Sequence, residues 1–276
     1  MLRHKIGFIG AGSIVQTMIK GLSAKRIVKG EQIWVTNKEN HKRLRDLSKK
    51  YGVNRTADKA TLLENADMII IAVKPCDMPA VLEEIKPNVR ETQLLVSVAA
   101  GVTTRAIEGC LDKKIPVIRC MPNTSCAVGE SATAAAKGRF ANEGHLSAAC
   151  TLFEALGEVV VVDEANMDIV TGLSGSGPAY FYYMIELMEK TAVDAGLSRE
   201  TAKKLLFQTL YGAARMLKDC NQDPSSLRQR VTSPGGTTFA AMEVFQSMGL
   251  EDTITKAVIK AAARSRELGA ESISIE

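Results

Sequence analysis

Ile6 to Ile9 is a short apolar run that passes directly into Gly10-Ala11-Gly12-Ser13-Ile14-Val15 and then into an amphipathic stretch, Ser13 to Lys25. Strand, glycine-rich turn and helix in that order are what a dinucleotide pyrophosphate requires. Gly10 permits the tight turn, Gly12 lets the backbone approach the phosphates, and the helix start supplies N–H groups and the positive end of its dipole. Gly10, Ala11, Gly12, Ser13 and Ile14 are therefore candidate cofactor contacts. The third position of the pattern is ordinarily Gly or Ala for close packing of helix on strand, and here it is Val15.

That loop fixes the expected setting. Short runs rich in Ile and Val recur at Gln32 to Thr36, Met68 to Val73, Leu94 to Val98, Val117 to Arg119 and Val159 to Val162, the pattern of parallel strands buried on both faces. Helical stretches such as Glu39 to Tyr51, Asp77 to Ile85 and Glu143 to Leu156 alternate with them, which predicts an α/β fold, a Rossmann-type doubly wound sheet. Beyond residue 163 the strand signal disappears, and helical patterns run Pro178 to Ala195, Arg199 to Lys218, Thr237 to Met248 and Glu251 to Leu268. Pro178 sits just inside a helix start, Gly196 and Gly249 follow helix ends, and Ser198 and Asp223 stand where N-caps belong. The 276 residues, at roughly 150 per domain, fit two domains, a sheet domain over 1–163 and an all-helical one over 164–276. The second carries more apolar side chains (Tyr180, Phe181, Tyr183, Met184, Leu187, Met188, Leu205, Leu206, Leu210) than so small a helical domain standing alone would use, which points to burial against a second subunit.

Composition removes other classes. Hydrophobic residues are 46% and charged residues 24%, which excludes a disordered, collagen-like or disulfide-stapled chain. The formal net charge is +4, and the densest basic group (Lys42, Arg43, Arg45, Lys49, Lys50) has the spacing of a solvated helix face, so nucleic acid is not an expected partner. Six cysteines without a C-x-x-C pair read as reduced, mostly buried thiols of a cytosolic protein. Three separated histidines supply neither a zinc site nor a histidine dyad, so no metal is expected. Met1 to Lys5 is basic and Ile6 to Ile19 largely apolar, yet the interspersed Gly7, Gly10, Gly12, Gln16 and Thr17 suit a strand and turn better than a signal peptide. No apolar run reaches the ~18 residues of a membrane span. A cytoplasmic chain with no membrane partner is expected.

Cofactor choice turns on the end of the second strand, where an acidic residue would hold the ribose 2′-hydroxyl of NAD and repel a 2′-phosphate. The chain has Val35-Thr36-Asn37-Lys38 there. Asn37 and Lys38 offer amide and ammonium groups to a phosphate, which favours NADPH over NADH. Glu39 is expected in the first turn of the following helix.

Five further segments carry a resemblance: Ala72-Val73-Lys74-Pro75, Ala99-Ala100-Gly101, Arg119-Cys120-Met121-Pro122-Asn123-Thr124, Gly172-Leu173-Ser174-Gly175-Ser176-Gly177-Pro178-Ala179-Tyr180, and Val231-Thr232-Ser233-Pro234-Gly235-Gly236-Thr237-Thr238. Together, in order and across essentially the whole chain, they resemble the pyrroline-5-carboxylate reductases, which catalyse the last step of proline biosynthesis. The resemblance implies a Rossmann domain followed by a helical dimerisation domain, and hydride transfer from NAD(P)H to C5 of a cyclic imine to give L-proline. It also implies a homodimer with interlaced helical domains; in several members five such dimers form a ring, a decamer. Asp58-Lys59 departs from the Asp-Asn frequent near the adenosine end of the cofactor.

Hydride addition to C=N requires an electrophilic, preferably protonated, imine held against the nicotinamide, with no strong base. Ser233 to Thr238 opens a helix with two glycines, so the backbone N–H groups of Gly235, Gly236 and Thr237 can hold the substrate carboxylate, with hydroxyl contacts from Ser233 and Thr237. The resemblance places the Thr238 hydroxyl near the ring nitrogen as an orienting group and candidate proton donor. It sets Ser176 at the substrate and lays the backbone of Ala72, Val73, Lys74 and Pro75 along the cofactor. Ala100 and Gly101 stand at a strand C-terminus, the edge where such a sheet binds its ligand, and Asn123, after the fifth strand, is expected to position the nicotinamide or the substrate. Two other readings share the two-domain plan. One is a related imine or β-hydroxyacid reductase, disfavoured because Tyr180, Phe181, Tyr182 and Tyr183 fill the helical turns where the latter use a lysine. The other is a regulatory protein that senses NADPH without turnover.

Overall fold

The structure is a computed structural model that describes residues 4–272; the first three residues of the basic start and the end of the 164–276 segment lie outside the described residues. In chain order the strands are β1 (Ile6–Ile9), β2 (Ile33–Thr36), β3 (Asn54–Thr56), β4 (Met68–Ile71), β5 (Leu94–Ser97), β6 (Val117–Met121), β7 (Ser131–Lys137) and β8 (Gly157–Val161). Among them lie α1 (Ser13–Ala24), α2 (His41–Tyr51), α3 (Lys59–Glu64), α4 (Met78–Ile85), α5 (Thr104–Leu111) and α6 (Glu143–Glu154). After β8 come α7 (Met167–Val170), α8 (Gly177–Asp194), α9 (Arg199–Asp219), α10 (Pro224–Arg230), α11 (Thr237–Ser247) and α12 (Leu250–Ser272). The helical stretches expected after residue 163 are all present. Ser198 caps α9 by accepting from the Thr201 N–H, whereas Asp223 holds the N-cap position of α10 without a side-chain cap bond.

The strands form one sheet in the order β3-β2-β1-β4-β5-β6-β7-β8. Those from β1 to β6 all run parallel to one another. Period-two alternation splits their apolar runs between two cores. Phe8, Met68, Ile70 and Val96 face the layer of α1, α2 and α6; Ile9, Ile69, Ile71 and Leu95 face that of α3, α4 and α5.

The expected all-parallel sheet needs correction at its far side. β7 is antiparallel to β6, and its sequence SATAAAK carries no apolar run, because its small side chains are buried by neighbouring strands rather than by their own bulk. β8 is not buried on both faces: it is an outer strand with Val160 61% and Val161 56% exposed. β3 is three polar-flanked residues that only pairing with β2 makes extended. Glu39 lies before α2, not in its first turn, since Asn40 is the cap and accepts from the Arg43 N–H. The cysteines are free, but only Cys120 and Cys126 are buried, while Cys76 is exposed.

The chain forms two compact units, one of residues 1–178 with 258–276 and the other of 179–257. In the first, Arg119 in the middle of β6 is 1% exposed. Its guanidinium meets Glu164 Oε1 at 3.0 Å and Asp168 Oδ1 at 3.4 Å. Ser265 of α12 donates to the same Asp168 oxygen at 2.7 Å. α12 also lies backbone to backbone on the loop after β5: a Cβ on Gly101 would overlap the Ser265 carbonyl, and one on Gly269 the Gly101 carbonyl. In the second unit Ala202 is the sole buried residue, and Tyr182, Tyr183, Leu205, Phe207 and Tyr211 are exposed.

Two outcomes follow from these packings. Glu164→Ala leaves a buried guanidinium with only Asp168 beside it and is expected to lower stability by about 2 kcal/mol, less than the full cost of stranding a buried charge; urea unfolding should show a lower midpoint at constant slope, and an unchanged midpoint would contradict the pairing. Burial pushes the Cys126 thiol up to about 11 and that of Cys120 well above the usual thiol range. Alkylation of the native protein at pH 8, read by peptide mass spectrometry, should therefore label Cys76 and spare Cys120 and Cys126 until the chain is unfolded.

Candidate functional site

The strand order reverses between β1 and β4, and the carboxyl ends of strands at such a switch point are where open α/β sheets bind ligands. The candidate residues of the first unit collect along this edge. Gly10 has φ +110°, and a Cβ there would overlap the Ala72 carbonyl. Its N–H donates to Thr36 O at 3.0 Å, and the Ala72 N–H donates to Ile9 O at 2.9 Å. The ends of β1, β2 and β4 are thereby tied to one another, and Gly10 is glycine for both backbone and spatial reasons.

Gly12 differs. Its φ −66° and ψ −178° suit any residue, and a Cβ built on it meets nothing within 4 Å. The fold does not demand glycine there; a ligand brought against the backbone would. As the N-cap of α1, Gly12 adds no side-chain cap bond, so the first-turn amides of Ser13, Ile14 and Val15 have no side-chain acceptor from the cap position and face an anion's natural place. Ser13 is exposed, Ile14 half-buried and Ala11 buried, and Val15 is absorbed into the core.

At the end of β2, Asn37 Oδ1 accepts from the Glu39 and Asn40 N–H groups at 3.0 and 2.7 Å. This Asx turn commits the carbonyl side of the amide and leaves Lys38 exposed. Sequence reasoning missed Arg43. Read as part of a solvated basic face, it donates from Nη1 to the Ala11 carbonyl at 3.2 Å, which puts a guanidinium against the glycine-rich loop. Its i,i+4 relation to buried Leu47 was the available signal that this charge lies at the edge of the inward stripe. Lys59, at the departure noted above, pairs with Glu84, and Asp58 caps α3.

Val73, Lys74 and Pro75 follow β4, with Lys74 exposed and Val73 and Pro75 half-buried. Ala100 is half-buried and Gly101 is buried under α12. Asn123, after β6, is 8% exposed. Its Oδ1 accepts from the Ser125 N–H at 3.0 Å and its Nδ2 donates to the Ser174 carbonyl at 3.1 Å. Ser174 lies in a π-helical turn, Thr171–Gly175, that leads to half-buried Ser176.

The remaining candidates lie in the second unit. The Gly236 N–H donates to Ser233 O at 3.0 Å, and Gly235 has φ +71°. With Pro234 at the preceding position this is a type II turn, which calls for Pro and Gly in that order. It delivers the chain into α11, whose N-cap, Gly236, makes no side-chain cap bond. Ser233 and Thr237 are exposed and Thr238 is half-buried.

The chain is 41% identical over 266 residues to pyrroline-5-carboxylate reductase 1 of Bacillus spizizenii, covering 96% of this chain and 90% of that one. It is 39% identical over 269 residues to the Methanosarcina acetivorans reductase, at 98% and 99% coverage. It belongs to the pyrroline-5-carboxylate reductase family. Residues 164–268 match the family model described as pyrroline-5-carboxylate reductase dimerisation, and residues 5–101 match that described as NADP oxidoreductase coenzyme F420-dependent. The pyrroline carboxylate reductase of Plasmodium falciparum, solved with NADP bound, superposes with a TM-score of 0.89 at 29% identity, covering 98% of this chain and 99% of that one. The Coxiella burnetii pyrroline-5-carboxylate reductase gives 0.87 at 37% identity, with 97% and 99% covered.

The contrast between the two glycines is measurable. Gly12→Ala should leave the unfolding midpoint unchanged or slightly raised while weakening NADPH binding, read by nucleotide fluorescence titration, at least about tenfold. Gly10→Ala should lower the midpoint as well. Full NADPH affinity in Gly12→Ala would remove the pyrophosphate from that loop.

Proposed function

We propose that the protein reduces L-1-pyrroline-5-carboxylate to L-proline with hydride from NADPH, the last step of proline biosynthesis. The observation that carries this reading is the uncapped start of α11 behind the Ser233–Gly236 turn in a chain whose relatives bear the reductase name over almost their whole length. An imine acid presents a carboxylate and a C=N group. The amides of Gly235 and Thr237 with the Ser233 hydroxyl suit the carboxylate, the Gly236 N–H expected to join them being committed to the Ser233 carbonyl that closes the turn, and Thr238 suits the ring nitrogen. Hydride adds to C5 while the nitrogen keeps its proton, so the residues need to orient the cation and exclude water rather than abstract a proton.

NADPH supplies the hydride. Support comes from the NADP-bound Plasmodium relative, from the absence of a carboxylate in Thr36-Asn37-Lys38 and from the Arg43 guanidinium at the glycine-rich loop. Gly10 to Ile14 would receive the pyrophosphate, Asn37 and Lys38 the 2′-phosphate, and Ala72 to Pro75 with Ala100 the nicotinamide side, where Gly101 serves chiefly to admit α12. The proposed division of labour is a cofactor segment over 1–163 and a substrate and dimerisation segment over 164–276. A homodimer is proposed because 179–257 buries only Ala202 of itself and a folded unit requires a larger core than that. Six free thiols suit the reducing cytoplasm.

The test follows NADPH and, separately, NADH absorbance with racemic pyrroline-5-carboxylate and identifies the product by chiral chromatography. L-proline formed faster with NADPH is the expected result; NADPH binding without oxidation would favour a sensing protein instead. Thr238→Ala should lower kcat/KM for the imine about ten- to a hundredfold with the thermal midpoint unchanged, and undiminished turnover would take Thr238 out of the mechanism.

A further inference from the structure

The loop after β6 and the π-helical turn are joined by one hydrogen bond with a covalent reason behind it. α7, the turn Thr171–Gly175 and α8 follow one another along a helical course, and Pro178 is the second residue of α8. Proline has no N–H and its ring crowds the carbonyl four residues earlier, which here is that of Ser174. The widened turn relieves that crowding: the Ser176 N–H reaches back five residues to Thr171 O at 2.9 Å. The Ser174 carbonyl, which residue 178 cannot serve, receives its proton from Asn123 Nδ2 at 3.1 Å.

Every polar group of Asn123 around this bond is engaged. Oδ1 takes the Ser125 N–H, and the backbone N–H donates to Ser131 Oγ at 3.2 Å, itself 3.1 Å from Thr133 Oγ1. The hydroxyls of Thr171 and Ser174 bond the carbonyls of Met167 and Val170, so they add nothing to the link with β6. The amide is thus a strut between the end of β6 and the turn that sets Ser176.

We infer that Asn123 is a positioning residue for the imine rather than a contact of the cofactor, and that it acts by replacing the hydrogen bond that Pro178 cannot make to Ser174. The inference rests on the reductase reading above. It yields a specific coupling: with an N–H restored at residue 178, the Ser174 carbonyl regains a helical partner and the Asn123 amide becomes dispensable.

The experiment is a double-mutant cycle over Asn123→Ala and Pro178→Ala, reading kcat and KM for pyrroline-5-carboxylate, the NADPH dissociation constant without imine, and hydrogen exchange of peptides spanning 171–177. Asn123→Ala should lower kcat/KM for the imine about tenfold, the worth of one buried hydrogen bond, and speed exchange over 171–177, with NADPH affinity within about twofold of the parent. In the Pro178→Ala background the same change should cost no more than about threefold. Asn123→Asp keeps the acceptor for Ser125 and loses the donor, and is expected to follow Asn123→Ala if the latter folds poorly. Equal losses in both backgrounds, or NADPH affinity falling in step with turnover, would overturn the inference. Should the parent protein fail to reduce the imine, the reductase reading falls, while exchange over 171–177 still reports whether positions 123 and 178 are coupled.

Discussion

A guanidinium that is 1% exposed in the middle of a sheet is tolerable only if its counter-charges are brought to it. Arg119 draws Glu164 and Asp168 onto β6, and with them the segment that leaves the sheet domain. Asp168 in turn holds Ser265 of α12, which keeps that helix against Gly101. The same segment runs on into the π-helical turn that Asn123 braces. Strand β6, the loop after β5, the turn before α8 and the end of α12 therefore share one electrostatic anchor, and each borders the edge where the candidate cofactor residues gather.

What the sequence made legible follows from where burial is recorded. β1, β4, β5 and β6 are covered on both faces, so their Ile and Val runs announce them. β7 is buried along its middle, from Thr133 to Ala136, but Ala134, Ala135 and Ala136 leave no apolar bulk to read, and its antiparallel sense depends on the partner rather than on the strand. The glycine-rich loop and the Ser233–Gly236 turn were visible because their chemistry is local: a turn type dictates Pro234 and Gly235. Arg43 escaped notice because its partner is a backbone carbonyl in another element. Asn123 was visible as a residue of interest, yet Ser174 lies 51 positions away, and only the fold connects the missing N–H of Pro178 to an amide on a distant strand. Arg119 could have been suspected from a lone charge inside an apolar strand.

The glycines named above have three distinct explanations, and separating them sharpens the functional reading. Gly10 and Gly235 hold backbone conformations that side chains resist. Gly101 admits a neighbouring helix. Gly12 needs neither, since its backbone is ordinary and its surroundings are open. In a strand-turn-helix setting, a smallness that the folded chain does not use is what close approach of the proposed pyrophosphate would use.

The outer position of β8 has a consequence for handling the protein. Val159 to Val162 is a run of four valines on a strand with β7 on one side only, and two of its side chains are largely exposed. Such a segment is a template for cross-β stacking between molecules. Glu158 on one side and Asp163 on the other would be brought into register in any such stack, where like charges repel. These flanking carboxylates act as gatekeepers against aggregation.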